Sequence, residues 1–206
     1  MPAKIIDHPL VNHHLAKLRS TQTSTSDFRR LVHKLATLLA YEATQDLTTA
    51  DHKVETPLCE TTGQRLNQRI ALVPILRAGL GMVDPILDLI PDSEVWHLGM
   101  YRNEETAEPV EYYNKLPPGK ADDVAFILDP MLATGGSAAS ACEALMKWGV
   151  PNIKLLSVIG SPEGVEFLNK TVPDLDIFVC SVDEKLNDQK YIVPGLGDAG
   201  DRIFNT

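Results

Sequence analysis

The chain has 206 residues, with 19 Lys and Arg against 28 Asp and Glu, a formal net charge of −9 and 44% hydrophobic residues. That acidic balance excludes a broad phosphate-neutralising face for nucleic acid or an anionic membrane, so any anionic ligand must be held locally. Length and composition suit one domain, 1–206, with a real core, and leave no room for two large ones.

In chain order, Leu10, Val11, His14, Leu15 and Leu18 recur at helical spacing. Phe28, Leu31, Val32, Leu35, Leu38 and Leu39 do so again after the cap-rich stretch Ser24, Thr25, Ser26, Asp27. Residues 1–45 therefore read as two amphipathic helices. Residues 48–69 receive no assignment. From there the texture changes to short apolar runs bounded by Gly, Pro and Asp: Ile70–Leu76, 95–100, Val124–Leu128, 153–159 and 175–180. Helical segments follow the first, third and fourth runs, at 80–90, 137–148 and 163–170. That order predicts an α/β fold with a mainly parallel sheet covered on both faces. Within 80–90, Asp84 and Pro85 offer a second starting point, because Asp is favoured at the N-cap and Pro at the first helical position.

Two segments depart from this alternation. Residues 101–119 form a long polar insertion opened by Arg102, of the kind that serves as a lid or binding loop. Its Glu104, Glu105, Glu108 and Glu111 read as a solvated hairpin. After Tyr191, the glycines Gly195, Gly197 and Gly200 are too dense for helix or strand, although Ile192, Leu196, Ile203 and Phe204 indicate a packed tail.

The longest nearly apolar run, Ile70–Leu76, has 7 residues against the roughly 20 that a membrane span needs. The first residues lack the pattern of a secretory signal, which predicts a cytoplasmic protein. Cys59, Cys142 and Cys180 are odd in number and widely spaced, so they read as buried free thiols, and the six histidines read as structural.

The chemistry concentrates between Asp129 and Ser137, directly before an Ala-rich helix. In an open parallel sheet ligands bind beyond the carboxyl ends of the strands, and a helix N-terminus offers unpaired N–H groups and a partial positive charge to phosphate. Gly135 and Gly136 let amides turn inward, and Thr134 and Ser137 add hydroxyls. A Gly pair alone is equally an ordinary helix start. Asp129 beside it points further, to sugar hydroxyls or Mg²⁺ next to a phosphate. Neither a Walker A pattern nor G-x-G-x-x-G is present. Arg77, Ala78 and Gly79 follow another strand and face the same crevice, with a guanidinium fork suited to a diphosphate. The chain holds no persuasive Ser-His-Asp or Cys-His set for covalent catalysis.

The stretch Asp129-Pro-Met-Leu-Ala-Thr-Gly-Gly-Ser137 resembles the ribosyl diphosphate motif of the type I phosphoribosyltransferases, with Pro130 where that motif usually has a second acidic residue. In this it is similar to the uracil phosphoribosyltransferase branch. Tyr41-Glu-Ala-Thr44, Val73 to Met82, Gly99 to Thr106 and Tyr191 to Phe204 resemble the same family in matching order.

The resemblance implies the type I phosphoribosyltransferase fold, with a mainly parallel central sheet flanked by helices, a lid or hairpin insertion at 101–119 and a C-terminal base-binding hood at 188–206. It implies transfer of the 5-phosphoribosyl group from 5-phospho-α-D-ribose 1-diphosphate to N1 of uracil, giving UMP and diphosphate. It assigns catalysis to Asp198, Arg102 and Asp129. Donor contacts fall to Arg77, Ala78, Gly79, Arg102, Asp129, Pro130, Met131, Leu132, Ala133, Thr134, Gly135, Gly136, Ser137 and Asp198. Uracil contacts fall to Ile192, Gly197, Asp198 and Ala199. Mg²⁺ is expected mainly through the substrate diphosphate, with Asp198 as a protein ligand. A homodimer or homotetramer is implied, and GTP activation occurs in parts of the family, although no segment here marks its site. The rival readings are a phosphoribosyltransferase for another base, an RNA-binding regulator on the same fold, and a nucleotide sensor without catalysis.

Overall fold

The computed structural model describes residues 3–102, 109–114, 116, 119 and 121–206. A short strand β1 (Lys4–Ile5) precedes helices α1 (Pro9–Arg19) and α2 (Thr25–Ala43), and then come strands β2 (Thr49–Glu55), β3 (Glu60–Leu66) and β4 (Ile70–Leu76). A 3-10 turn (Ala78–Met82) leads into α3 (Val83–Leu89), β5 (Glu94–Val95), β6 (Leu98–Arg102), β7 (Pro109–Asn114), β8 (Val124–Leu128) and β9 (Met131–Leu132). The chain finishes with α4 (Gly136–Trp148), β10 (Asn152–Gly160), α5 (Pro162–Thr171), β11 (Asp176–Val182), β12 (Lys185–Leu186), β13 (Ile192–Val193) and α6 (Ala199–Phe204).

The central sheet has the order β1-β11-β10-β8-β4-β6-β7, parallel throughout except where β7 returns antiparallel on β6. Period-two alternation sorts side chains to its faces. Ile70 and Leu72 of β4 and Val124, Phe126 and Leu128 of β8 join the core under α1, α2, α3 and α6. Ala71, Val73, Ile75, Ala125 and Ile127 join the opposite core under α4 and α5. Both faces are buried, which is why these strands read in sequence as continuous apolar runs.

Helix α2 begins where the sequence predicts, because the Ser24 side chain accepts from the Asp27 N–H at 3.2 Å. Its last turn carries no basic residue of its own. Lys154 from β10 supplies one, donating to the Ala43 carbonyl at 2.7 Å and pairing with Asp46, so the positive charge meets the negative helix end.

Several expectations are corrected. The 80–90 segment divides into the 3-10 turn and α3, whose N-cap is Met82, so Pro85 falls in the first turn, where its missing N–H is not needed. The 95–100 run is two strands, β5 and β6, beside β4. Residues 48–69 contain the antiparallel hairpin β2–β3, exposed at every strand residue except partly buried Gly63. The glycine-rich tail does form β13 and α6. Cys59 is exposed, while Cys142 and Cys180 are buried as expected. Among the described residues no helix is long and apolar enough to cross a membrane.

Candidate active site

Strands β4 and β8 lie side by side at the centre of the sheet. From β4 the chain moves to β6 on one side, and from β8 it crosses by α4 to β10 on the other. A crevice opens at the carboxyl ends of two such strands, the usual ligand position in an open α/β sheet. Arg77 leaves β4 there and Asp129 leaves β8.

The Asp129–Ser137 loop is fixed from behind. Pro130 accepts from the N–H groups of Val158 and Ile159 at 3.1 Å, and β9 pairs with the end of β10. Asp129 is half-buried, and its Oδ1 accepts from the Met131 N–H at 3.2 Å. Burial raises its carboxyl to about 6, more than that hydrogen bond lowers it. Gly135 caps α4 with φ +83°, a left-handed conformation that glycine adopts without penalty. Among the described residues the N–H groups of 134–137 have no acceptor, and with Asp129 and Ala138 this loop surrounds a cavity of 110 Å³. The arrangement is an anion cradle at a helix N-terminus.

Helix α5 supports the cradle, a contribution that sequence reasoning missed. The Ser161 hydroxyl donates to the Ala133 carbonyl at 2.5 Å and accepts from the Gly164 N–H at 2.9 Å. A side chain on Gly164 would run into that same Ala133 carbonyl.

On the β4 side the Arg77 side chain is exposed and sits 3.3 Å from Asp201. At Gly79 a Cβ would meet the Leu128 carbonyl and come within 3.1 Å of Pro74 Cα. Its small size lets the turn close on the end of β8. Arg102 ends β6 in backbone register with Pro109, and its side chain lies outside the described residues, as do Glu104, Glu105 and Glu108.

The tail reaches the same edge. Ile192 and Ala199 are buried, while Gly197 and Asp198 face outward. Asp198 caps α6 through the Asp201 N–H at 2.9 Å, which uses one carboxylate oxygen. The other oxygen accepts from no described group. The N–H groups of 196–199 likewise have no partner among the described residues. The tail meets the turn after β4 at Gly200, where a Cβ would lie 3.2 Å from Asp198 Oδ1 and 3.8 Å from Arg77 Nη2. A larger cavity, 520 Å³ and lined by the base of the β2–β3 hairpin and the end of α3, opens beside Ile70, at the amino end of β4 and away from these groups.

An anion cradle, an acidic strand end and an arginine at the switch point of a parallel sheet define the type I phosphoribosyltransferase class. Solved structures agree on that fold. A hypoxanthine phosphoribosyltransferase from Staphylococcus aureus superposes with a TM-score of 0.51 at 16% identity, covering 88% of this chain and 84% of its own. The AQ2163 protein from Aquifex aeolicus reaches 0.92 at 39% identity over 97% of this chain and 96% of its own. The uracil phosphoribosyltransferase family model matches residues 5–206. Relatives named uracil phosphoribosyltransferase from Roseiflexus sp. (strain RS-1) and Agathobacter rectalis are 55% and 53% identical, each over 98% of this chain and 97% of the relative. The chain belongs to the uracil phosphoribosyltransferase family.

Proposed function

We propose that the protein transfers the 5-phosphoribosyl group from 5-phospho-α-D-ribose 1-diphosphate to N1 of uracil, giving UMP and diphosphate, a pyrimidine salvage reaction. The observation that carries this reading is a pair of unpartnered backbone surfaces, the amides of 134–137 beyond the end of β8 and those of 196–199 in the tail that packs against the Arg77 turn at Gly200.

The first surface, with the Thr134 and Ser137 hydroxyls, holds the 5-phosphate. Asp129 accepts from the ribose hydroxyls. Arg77, with Ala78 and Gly79 shaping its turn, faces the diphosphate, and the family resemblance assigns Arg102 to the same group. The second surface reads uracil edge-on through Ile192, Gly197, Asp198 and Ala199, matching its carbonyls and N–H with backbone groups. A site of this kind rejects bases of the wrong donor pattern by large factors. Loss of diphosphate gives the ribosyl carbon oxocarbenium character, so catalysis rests on alignment and on charge placed around the leaving group.

No cluster of three or more His, Cys, Asp or Glu capable of caging a metal occurs among the described residues. The unpaired Asp198 oxygen and Asp129 suit Mg²⁺ held largely by substrate phosphates, the ordinary habit of that ion. When bound there it neutralises the diphosphate. A GTP effector, a homodimer or homotetramer and a cytoplasmic location rest on the family resemblance.

The test is UMP formation from labelled uracil and the ribosyl diphosphate, with and without Mg²⁺ and GTP. Hypoxanthine, guanine and orotate serve as competing bases. Turnover of one of those in place of uracil would falsify the base assignment.

A further inference from the structure

The base-reading loop, residues 194–198 between β13 and α6, contains two glycines and would be loose on its own, yet two arginines from outside it grip two consecutive carbonyls. Arg19, at the end of α1, donates from Nη1 to the Gly195 carbonyl at 2.7 Å. Arg202, in α6, donates from Nη1 to the Leu196 carbonyl at 2.8 Å. Each guanidinium is itself anchored. Arg19 makes a two-pronged pair with Asp183, both N–O distances being 2.6 Å, and Asp183 Oδ2 also accepts from the Gly195 N–H at 2.9 Å. Arg202 donates to the Leu18 carbonyl at 2.9 Å and to the Ser20 carbonyl at 2.7 Å, and its guanidinium lies 4.2 Å from the centre of the Phe28 ring. The end of α1 thus clasps the loop from two directions.

A trans peptide unit is planar, with its C=O and the following N–H pointing opposite ways. When Arg19 takes the Gly195 carbonyl, the Leu196 N–H is turned away from α1. When Arg202 takes the Leu196 carbonyl, the Gly197 N–H is turned away in the same manner. These two N–H groups begin the row of unpartnered donors at 196–199. The positive φ values of Gly195 (+65°) and Gly197 (+80°) permit this orientation without themselves choosing it. A planar guanidinium fork fixes direction as well as distance, which an ammonium does not.

We propose that Arg19 and Arg202 are positioning residues for base recognition, aiming the 196–197 amides by holding the carbonyls behind them. The inference rests on the uracil-transfer reading of the site and adds to it the residues that set base affinity without touching the base. Asp183 belongs to the same device. The Asp183 side chain is 1% exposed, and although burial would raise its carboxyl, the Arg19 guanidinium, the Gly195 N–H and the Ser181 hydroxyl outweigh that and hold it below the usual range.

The test uses Arg202→Lys and Arg19→Lys, which keep the charge and lose the fork. The expected result is a KM for uracil raised about tenfold in each, with kcat and the KM for the ribosyl diphosphate within twofold of the parent. Discrimination between uracil and 2-thiouracil should narrow as well. Steady-state constants are measured well below each variant's melting temperature, so that the folded fraction is not limiting. A parental uracil KM in a variant that only melts earlier would overturn the proposal, because it leaves a purely structural clasp. An equal loss in all constants would overturn it too. Should Arg202→Lys fail to fold, Arg19→Lys, acting on the other carbonyl, carries the same expectation, and Asp183→Asn provides a third arm. A parent protein inactive with uracil would instead defeat the reading of the site, so the two failures are distinguishable.

Discussion

The Arg77 guanidinium lies 3.3 Å from the Asp201 carboxylate, so the arginine proposed for the diphosphate is shared with the helix beside the proposed base site. Both side chains are about half exposed, at 58% and 49%, and such a pair contributes at most about 1 kcal/mol. A diphosphate must compete with Asp201 for this cation and can do so cheaply. Asp201→Asn is expected to lower the KM for the donor two- to fivefold with little change in melting temperature. Initial-rate kinetics with donor varied at saturating uracil check it, and a raised donor KM would contradict the competition.

Asp129 sets a pH dependence. Its folded-state value is raised to about 6, so ionisation costs stability, and the cost grows as pH climbs from the ordinary carboxylate range and is complete above about 6. Asp129→Asn should therefore melt at or above the parent at pH 8, by about 1–2 kcal/mol, and match it near pH 4. In the proposed role the ionised carboxylate is the stronger acceptor for ribose hydroxyls, so parental donor affinity should fall as pH drops below about 6. The Asn variant should lose turnover at least tenfold. Calorimetry and initial rates across pH 4–8 measure both effects.

Ser161 supports the proposed phosphate cradle at one remove. Replacing it with Ala strips the Ala133 carbonyl of its donor and removes the N-cap of α5, at a cost of about 1–2 kcal/mol. The donor KM should rise severalfold while the uracil KM holds. Gly164→Ala, which forces a methyl against the same carbonyl, should act in the same direction and more strongly.

Thiol chemistry distinguishes the three cysteines. Burial pushes both Cys142 and Cys180 up to about 12, and only Cys59, on the hairpin turn, is exposed. Ellman's reagent should titrate one thiol per chain in native buffer and three in denaturant. Rapid modification of two or more native thiols would show that a core opens.

What could be read directly from the sequence follows burial. Strands β4 and β8 are apolar on both faces and their runs match the observed limits, and Gly135 and Gly136 after Asp129 mark a loop that local chemistry alone can flag. The hairpin β2–β3 was silent because its residues are polar and exposed, with no alternation imposed by a core. Helix α6 contradicted its glycine content, since the Asp198 cap and the packing of Ile203 supply what propensity lacks. Arg19 and Asp183 gave no local sign because they meet across 164 positions of chain.

That separation also bears on synthesis. Leu18, Arg19, Ser20 and Phe28 leave the ribosome early, yet their partners Gly195, Leu196 and Arg202 emerge only after the whole sheet has been translated. The end of α1 must wait unclasped through most of elongation, with part of its apolar face uncovered. On the proposed roles, a nascent chain can own a phosphate cradle and still be unable to choose a base until residue 202 is free of the exit tunnel.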